Sequence, residues 1–418
     1  MVIERNFYLE KLCRKQHNGM VKIVTGVRRC GKTYLLFNLF RKHLLDSGVN
    51  ESHIVTLRLD DFENSEYRDP SALYRYVKAQ LADSEPYYVL LDEIQLVPHF
   101  EEVLNGLLHI DNLDIYVTGS NSRFLSSDII TEFRGRGDEV RLYPLSFAEF
   151  FSVYGGSAAD AWQEYRIYGG MPHITGIADK EEKKIYLKNL FNQVYLADII
   201  NRHQLKGNME IGELTDVIAS SVGSLTNPLR LTNAFNSLKQ KQVTNQNTIN
   251  SYLLHLEDAF LISKALRYDI RGKHYINTPF KYYFTDNGLR NARLDFRQLE
   301  EGHLMENAIY NELCRRYFSV DVGDVETFAK NENGNVVRKH LEVDFVVNQG
   351  NRRYYIQSAV NIDTREKVAQ ESASLKNIND SFKKILIQQR DTEPWYTDDG
   401  ILVLSLMDFM LKPEMIDY

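Results

Sequence analysis

Hydrophobic residues in the first 150 positions occur in short segments of β-strand character, separated by segments with helical spacing. Five segments predict strands, namely Val21–Thr25, Ile54–Leu59, Tyr87–Leu91, Leu113–Thr118 and Glu139–Leu142. The third has no polar alternation, which is typical of a central strand in a parallel sheet covered on both faces. The segments between them, such as Ser71–Ala82, predict helices. This part of the chain is therefore predicted to be an α/β domain with a parallel sheet.

The middle of the chain, from about residue 150 to 290, has mainly helical spacing. Near its start, Tyr168–Pro172 contains two glycines and a proline, and we interpret it as a hinge between the first domain and the rest. Short helices between Val217 and Leu266 precede a predicted strand and turn at Lys281–Arg290. Helices followed by a β-hairpin of this size predict a winged-helix-like region.

The last part of the chain mixes both patterns. Gly302–Leu313 is predicted as an amphipathic helix, and Glu342–Val347 and Tyr354–Val360 are predicted as strands. We place domain boundaries after residues 155 and 298. The result is a parallel-sheet domain at 1–155, a helical and winged-helix-like region at 156–298 and an α/β domain at 299–418.

Composition excludes several classes of protein. The chain is 43% hydrophobic and 26% charged, as in an ordinary globular protein, and its net charge of −7 argues against binding polyanions through bulk charge. Cys13, Cys30 and Cys314 lie far apart, so neither a disulfide framework nor a zinc site is expected. The N-terminus lacks a signal-peptide pattern, and no stretch approaches the roughly 18 apolar residues of a membrane span. A cytoplasmic protein is expected.

Gly26–Thr33 fits the pattern G-x-x-x-x-G-K-[ST] at every fixed position. It lies between a predicted strand and the helical spacing of Tyr34–Phe40, which is the context in which this pattern binds phosphates. Lys32 would contact the β- and γ-phosphates of ATP, and Thr33 would ligate Mg²⁺. A chance glycine turn is the structural alternative. The residues predicted to contact nucleotide are Gly26, Val27, Arg28, Arg29, Cys30, Gly31, Lys32, Thr33 and Tyr34.

Two adjacent carboxylates, Asp92 and Glu93, follow the third predicted strand. Because two neighbours on the chain cannot both bind the metal, we assign Asp92 to Mg²⁺ and Glu93 to orienting and polarising the attacking water. The alternative is that both acids cap the next helix, since acidic residues are favoured in a first helical turn. The P-loop upstream favours the ATPase interpretation.

Polar residues at two further places complete the predicted hydrolysis site. Ser120 and Asn121 follow the fourth predicted strand, where a side chain can hydrogen-bond the γ-phosphate or the lytic water. A plain polar turn is the alternative there. Arg134 and Arg136 lie in a glycine-containing loop before the fifth strand, which suits an arginine finger acting across a subunit interface. A solvated basic loop would have the same sequence.

These motifs resemble those of AAA-type ATPases of bacteria and archaea, in the branch near the archaeal and STAND NTPases. The resemblance rests on Thr25–Thr33, Leu91–Gln95, Thr118–Ser122, Gly135-Arg136 and Pro144–Phe150. It implies a winged helix, a C-terminal domain of unknown function, and a catalytic role for Arg136 more than for Arg134. Cys30 departs from the Val or Ser that is commoner in the family, which leaves phosphate contact through backbone N–H groups unaffected.

The last predicted domain has the layout of the PD-(D/E)XK nuclease fold, with Glu306 on a helix, Asp344 on a strand and a polar pair on the next strand. In an active nuclease two carboxylates bind Mg²⁺ and a lysine orients the water. Here Gln357 stands at the second acid position and Ala359 at the lysine position, so the nuclease chemistry is predicted to be lost. A solvated α/β domain with two ordinary acids is the alternative.

Three functions are consistent with these motifs. The first is a Mg²⁺-dependent, ATP-hydrolysing protein that couples nucleotide state to a partner, with DNA, a protein and self-association left open. The second is a nucleotide-gated signalling or binding module with slow turnover, as in STAND relatives. The third, an ATP-dependent nuclease, is disfavoured by Gln357 and Ala359. The adjacent Asp92 and Glu93 favour hydrolysis, whereas residues 201–300, with 13 Lys and Arg against nine Asp and Glu, do not decide on DNA.

Overall fold

The computed structural model describes residues 2–119, 135–203, 208–238, 244–317, 319–330 and 335–418. The chain divides into two compact units. The first comprises residues 1–144 with the short segment 258–260, and the second comprises residues 145–257 and 261–418. All residues predicted to contact nucleotide lie in the first unit.

A five-stranded parallel sheet forms the centre of the first unit. Its strands are β1 (Val21–Thr25), β2 (Ile54–Arg58), β3 (Tyr87–Asp92), β4 (Leu113–Thr118) and β5 (Gly137–Arg141). Their spatial order is β2-β3-β4-β1-β5, and every neighbouring pair is parallel. β1 and β3 are buried along their whole length, which explains why β3 has no polar alternation. The predicted parallel-sheet α/β fold is confirmed in this unit.

Helices of the first unit form close to where the sequence predicts them. Asp69 caps the helix Pro70–Ala79 by accepting a hydrogen bond from the Ala72 N–H at 2.8 Å, so this helix begins one residue earlier than predicted. The N-terminal helix, predicted over residues 1–20, spans only Asn6–Arg14. Further α- and π-helical segments in the described residues are Lys32–Tyr34, the π-helical Leu35–Phe40, Arg41–Asp46 and Phe100–Leu107, and 3-10 helices lie at Glu51–His53, Phe62–Arg68 and Ile94–Leu96.

The second unit begins with helices and continues with a β-hairpin. Among the described residues, the helical segments before the hairpin are Phe147–Phe151, Ala158–Tyr168, the 3-10 helix Pro172–Gly176, Lys180–Asn189, Leu190–Leu196, Ala197–His203, Asn208–Ser220, Pro228–Leu238 and Gln246–Asp258. The hairpin consists of β6 (Ile262–Asp269) and β7 (His274–Phe284). Thr226, which precedes Pro228–Leu238, bridges to Phe280 of β7 through two backbone hydrogen bonds of 2.7 and 2.9 Å. The order of helices and then hairpin agrees with the prediction.

The hairpin and the strands of the last third share one eight-stranded sheet. Its further strands are β8 (Ser319–Lys330), β9 (Val336–Gln349), β10 (Arg352–Ala359), β11 (Lys383–Gln388), β12 (Trp395–Tyr396) and β13 (Leu402–Ser405). β8, β9 and β10 form an antiparallel meander, to which β11 and β13 add in parallel. The spatial order is β12-β13-β11-β10-β9-β8-β6-β7. The boundary after residue 298 stays a prediction, and strands from both sides of it lie in this sheet.

A long helix, Glu301–Arg316, contacts β7, β8, β9 and β10 of this sheet. Its Asn307 side chain exchanges two hydrogen bonds of 2.8 and 2.9 Å with the backbone of Phe284, which satisfies the end of β7. The other helices here are Asn287–Arg293, Arg365–Glu371, Ala373–Lys376 and Leu406–Leu411. None of the helices in the described part of the chain combines the length and the apolar character needed to span a bilayer.

The segment interpreted as a hinge is anchored inside the second unit. The Asp286 carboxylate accepts hydrogen bonds from the backbone N–H of Gly170 at 2.6 Å and of Leu289 at 3.0 Å. Gly169 has a φ of 74°, and a Cβ on it would lie 2.1 Å from an Asp286 oxygen. Glycine is therefore required at position 169 both by backbone conformation and by the close approach of Asp286.

Lys22 and Asp114 form a buried ion pair between the neighbouring strands β1 and β4, and neither side chain is more than 2% exposed. Asp114 also accepts hydrogen bonds from the Tyr116 hydroxyl at 2.8 Å and the His17 N–H at 3.1 Å. The Lys22 ammonium donates to the Met20 carbonyl at 2.9 Å. Burial lowers the pKa of Lys22, and the charge of Asp114 opposes this. The pair fixes the register of β1 against β4.

Replacement of Lys22 by methionine is expected to destabilise the first unit by about 3–5 kcal/mol, because Asp114 would stay buried without its cationic partner. Urea denaturation measures the free energy of unfolding. Lys15→Met serves as the control, since the Lys15–Asp138 pair is partly exposed, with side chains 28% and 20% accessible. That change is expected to cost about 1 kcal/mol or less. Equal losses of unfolding free energy in both variants would contradict the stabilising role of the buried Lys22–Asp114 pair.

Candidate functional site

The P-loop connects β1 to the helix that begins at Lys32. Gly26 has a φ of 135°, and a Cβ on it would lie 2.1 Å from the Leu142 carbonyl oxygen, so glycine alone fits there. Gly31 has a φ of 103° and immediately precedes the helix. The first backbone N–H groups of a helix have no acceptor within the helix, so the loop presents donors suited to an anion.

Lys32 lies over the loop. Its side chain is buried, and its ammonium group donates to the carbonyls of Gly26 at 2.9 Å and Val27 at 3.2 Å. These neutral acceptors hold the ammonium within the curve of the loop. The predicted phosphate-binding residues Gly26, Gly31 and Lys32 are therefore brought together as the pattern requires.

The other predicted loop residues differ in exposure. Cys30 is fully buried, with its Sγ 3.6 Å from the Leu142 carbonyl oxygen, and burial raises the pKa of its thiol. Arg28 and Arg29 are exposed. Arg29 has a φ of 64°, a left-handed conformation that costs a non-glycine residue about 1–3 kcal/mol and is concentrated at functional sites. Contact of these residues with nucleotide through the backbone stays a prediction.

Asp92 ends β3 and is 1% exposed. Its carboxylate accepts a hydrogen bond from the Thr118 hydroxyl, and the Thr33 side chain at the start of the P-loop helix lies close to it. Burial raises the pKa of Asp92, and Thr118 and Thr33 oppose the shift because they stabilise the ionised carboxylate. A hydroxyl and a carboxylate oxygen thus converge, which are ligands that Mg²⁺ prefers.

The residues present fit a metal ion held jointly with a ligand. Within the described ranges, no group of three or more His, Cys, Asp or Glu side chains is arranged to hold a metal ion. Thr33 and Asp92 supply two oxygen ligands between them, so Mg²⁺ here would need phosphate oxygens and water for the rest of its shell. This is the arrangement expected of a metal that arrives with a nucleotide.

Glu93 is directed differently from Asp92. Its φ of 53° is left-handed, and its backbone N–H donates to the Thr118 hydroxyl oxygen at 3.1 Å. Its carboxylate accepts a hydrogen bond from the Gln95 amide. The hydrogen bonds to the two carboxylates come from different side chains, Thr118 for Asp92 and Gln95 for Glu93, and the division of roles between the two acids stays a prediction. Sequence reasoning assigned no role to the Thr118 and Gln95 side chains, although a hydroxyl at the end of the neighbouring strand was a usable signal.

Arg136 lies at the opposite end of the sheet from the P-loop. Its carbonyl accepts a hydrogen bond from the Val21 N–H at 2.9 Å, and Val21 pairs with Gly137 in the parallel ladder. The five residues of β1, about 16 Å of strand, separate this point from the loop. Arg136 is exposed. The predicted residues outside the described part of the chain are Ser120, Asn121 and Arg134.

Glu306 belongs to a cluster of charges in the second unit. The Lys281 ammonium of β7 lies 2.9 Å from a Glu306 oxygen and 2.6 Å from a Glu342 oxygen. The Tyr283 hydroxyl donates to Glu306 at 2.7 Å. Sequence reasoning missed Lys281 because it assigned the hairpin and the nuclease-like layout to different domains.

Asp344 is bound by neutral donors. The Gln357 amide donates to one of its oxygens at 3.0 Å, and the Ser358 N–H and hydroxyl donate to the other at 2.8 and 2.7 Å. Ala359 lies in the apolar core of the sheet. Asp344 and Gln357 lie on the neighbouring strands β9 and β10, and these contacts give both carboxylate oxygens of Asp344 a hydrogen-bond donor.

The cluster contains more carboxylates than its ammonium group can neutralise. Burial raises the pKa of Glu306 to about 7, against the opposing effect of Lys281 and with a further increase from Asp344. Burial alone would lower the pKa of Lys281, but the combined attraction of Glu306, Asp344 and Glu342 raises it. Glu306 therefore keeps its proton to higher pH than an exposed glutamate.

The contribution of Glu306 to stability is expected to fall as pH rises. A folded-state pKa of about 7, above the ordinary 4.5, means that folding favours the protonated form. That stabilisation is full below the unfolded pKa and is lost as pH rises through the folded pKa. The measurement is urea denaturation of the native protein and Glu306→Gln between about pH 5 and 8.5. The expectation is wrong if the free energy of unfolding of the native protein minus that of Glu306→Gln is constant or rises with pH.

Comparison with known sequences gives two domain matches and full-length relatives. An AAA domain matches residues 18–151, and a domain of unknown function matches residues 159–300. An uncharacterized protein of Haemophilus influenzae is 33% identical over 417 residues, which cover 98% of this chain and 99% of the relative. An uncharacterized protein of Methanocaldococcus jannaschii is 27% identical over 432 residues, which cover 98% of this chain and 90% of the relative.

Two solved structures from Aeropyrum pernix are also similar. The ORC1 protein in complex with DNA is 11% identical, with a TM-score of 0.31, and the match covers 71% of this chain and 93% of that one. The ORC2 protein in its ADPNP–ADP complexes is 12% identical, with a TM-score of 0.36, and the match covers 62% of this chain and 86% of that one.

Proposed function

Because the chain belongs to the family of the Haemophilus influenzae relative and carries an AAA domain, we propose that it binds ATP with Mg²⁺ and hydrolyses it. The observation that supports this most directly is the position of Thr33, at the start of the P-loop helix, close to the buried Asp92 carboxylate. A P-loop by itself suits many phosphate ligands. A hydroxyl at the helix start close to a buried carboxylate adds two side chains that would hold a divalent metal together with phosphate oxygens.

Each side chain of the site has a separate role in this proposal. Backbone N–H groups of Gly26–Thr33 hold the phosphates, and Lys32 exchanges its carbonyl partners for phosphate oxygens. Thr33 and ionised Asp92 would hold Mg²⁺, which would supply neutralisation of charge on the transferred phosphoryl group. Glu93 orients the attacking water, and a turn of its carboxylate away from Gln95 brings it into that position. Asn121 is proposed to contact the γ-phosphate or this water.

Lys32→Ala is expected to abolish ATP turnover, because the charge that stabilises the transferring phosphate is lost. Glu93→Gln is expected to lower turnover by about 10²–10⁴-fold, the range of general-base contributions, while ATP still binds. Phosphate release measures turnover, and a fluorescent ATP analogue measures binding. Lys42→Ala is the matched control, since Lys42 is an exposed lysine farther along the same continuous helical stretch. Turnover intact in Lys32→Ala would refute the site.

Arg136 is proposed to act in a second copy of the chain, since its own P-loop lies at the other end of the sheet. Turnover per chain is then expected to rise with protein concentration, and Arg136→Ala is expected to lose most of it. Mixing Arg136→Ala with Lys32→Ala should restore part of the activity, because one subunit supplies an intact P-loop and the other the arginine. Concentration-independent activity together with no recovery on mixing would count against this role.

A nucleotide-gated module with slow turnover is the second candidate. The hydrogen bond from the Gln95 amide to the Glu93 carboxylate favours it, because this amide competes with a water for the carboxylate. Typical enzymes turn over at about 1–10³ per second. A steady-state rate far below this range, combined with tight ATP binding, would favour gating, and a rate within it would favour hydrolysis as the main activity.

For the second unit we propose a winged-helix-like region followed by a nuclease-like fold without cleavage activity. Three helices before the hairpin, with Thr226 bridged to Phe280, support the first. The helix Glu301–Arg316 on the meander, with β11 added in parallel, supports the second. Neutral partners around Asp344 and the ammonium of Lys281 beside Glu306 support the loss of metal chemistry.

The partner that this unit engages is proposed to be DNA or a protein. Phosphate release measured with duplex DNA, single-stranded DNA and peptide distinguishes them, because a partner coupled to nucleotide state changes the rate of turnover. A cytoplasmic location stays a prediction.

A further inference from the structure

Arg5 is a buried arginine that lies before the region matched by the AAA domain, which begins at residue 18. It is 3% exposed. Its guanidinium donates to the Cys30 carbonyl of the P-loop at 3.2 Å and to the Tyr143 carbonyl at 2.7 Å. It also lies over the Tyr8 ring, 4.8 Å from the ring centre. One side chain therefore joins the N-terminal segment, the P-loop and the segment that follows β5.

The contact with Cys30 bears directly on the phosphate site. In a planar trans peptide, the carbonyl of one residue and the N–H of the next point in opposite directions. A guanidinium that holds the Cys30 carbonyl on one side therefore directs the Gly31 N–H to the other. Gly31 is the second glycine of the pattern whose backbone N–H groups surround the phosphates.

The segment after β5 supports the same side of the loop. A Cβ on Gly26 would lie 2.1 Å from the Leu142 carbonyl oxygen, which shows how closely the two backbones approach. The Cys30 Sγ lies 3.6 Å from the same oxygen. Tyr143, the next residue, donates its N–H to the Tyr8 hydroxyl at 3.2 Å. The P-loop therefore contacts the segment after β5 at Gly26 and at Cys30. In these contacts Arg5 supplies the charged hydrogen-bond donor.

We propose that Arg5 is a positioning residue for the phosphate site. By fixing the Cys30–Gly31 peptide, it preorganises the loop to receive the phosphates before nucleotide arrives, and so reduces the ordering that binding requires. The inference rests on the proposed ATP binding, and it extends the site to a residue outside the matched AAA domain.

The first test needs no nucleotide. The chain has three cysteines, so Cys13→Ser with Cys314→Ser leaves Cys30 as the single thiol. Its rate of reaction with a disulfide reagent reports how often the loop opens, because Cys30 is buried. Arg5→Met in this background is expected to raise the rate by about tenfold or more. Tyr8→Phe is the matched control, since it removes the hydroxyl bonded to the Tyr143 N–H and keeps the ring beneath Arg5.

The second test measures the affinity for fluorescent ADP in the same variants. Arg5→Met is expected to weaken binding by about tenfold, Tyr8→Phe to leave it within about twofold, and Arg5→Lys to recover part of it through its remaining donor. Thermal unfolding of each variant checks that it is folded. If Arg5→Met does not fold, Arg5→Lys tests the inference in its place. This variant is then expected to react faster at Cys30 and to bind ADP more weakly than the native protein, with smaller changes than those expected for Arg5→Met.

Outcomes for Arg5 and for ATP binding can be told apart. Equal thiol rates in the native protein and the Arg5 variant overturn the inference. A faster thiol reaction with unchanged ADP affinity also overturns it, because the loop would then loosen without effect on phosphate binding. A native protein that does not bind ADP, with thiol reactivity still dependent on Arg5, refutes the proposed function and supports the loop contact.

Discussion

The Asp92 carboxylate accepts a hydrogen bond from Thr118 and lies close to Thr33, so three elements of the first unit meet at one point. Asp92 ends β3, Thr118 ends β4, and Thr33 begins the helix after β1. These ends meet because all strands are parallel and the order places β4 between β1 and β3. The site therefore depends on the sheet topology, and a change in strand order would separate the hydroxyls from the carboxylate.

Buried charges hold the two ends of this sheet in register. At the end away from the P-loop, Lys22 and Asp114 join β1 to β4 with further hydrogen bonds from neighbouring residues. Such a pair contributes little net stability compared with apolar residues, but its loss on one side is costly. The main effect of the pair is therefore to disfavour other pairing registers of β1 and β4. A shift of β1 against β4 would move the P-loop relative to Asp92. Arg5 adds a third buried charge, on the far side of the loop.

In the second unit a buried lysine also joins separate elements of the fold. Lys281 reaches from β7 to Glu306 on the long helix and to Glu342 on β9, and so joins three elements. The ammonium group occupies the space between the carboxylates, and Asp344 is satisfied by Gln357 and Ser358. The acids for which the sequence predicts a nuclease-like layout thus make contacts that stabilise the fold. Catalysis in this chain is expected to belong to the first unit.

The sequence by itself determined the five strands of the first sheet, the P-loop and the two acids after β3. These features are local, because apolar runs, glycine spacing and adjacent carboxylates are set by near neighbours along the chain. The ends of the elements were less certain, as the N-terminal helix shows, because capping and tertiary packing decide where a helix begins and ends.

Only the tertiary structure decided which distant residues meet. Arg5 binds a carbonyl 25 positions away, and Lys281 binds an acid 25 positions away in another element. The position of Arg136 at the far end of the sheet also follows from strand pairing, because β5 begins directly after it and runs parallel to β1. A sequence pattern predicts the type of a single helix or strand and the chemistry of a single motif. The contacts between elements depend on burial and on strand order, which are properties of the folded chain as a whole.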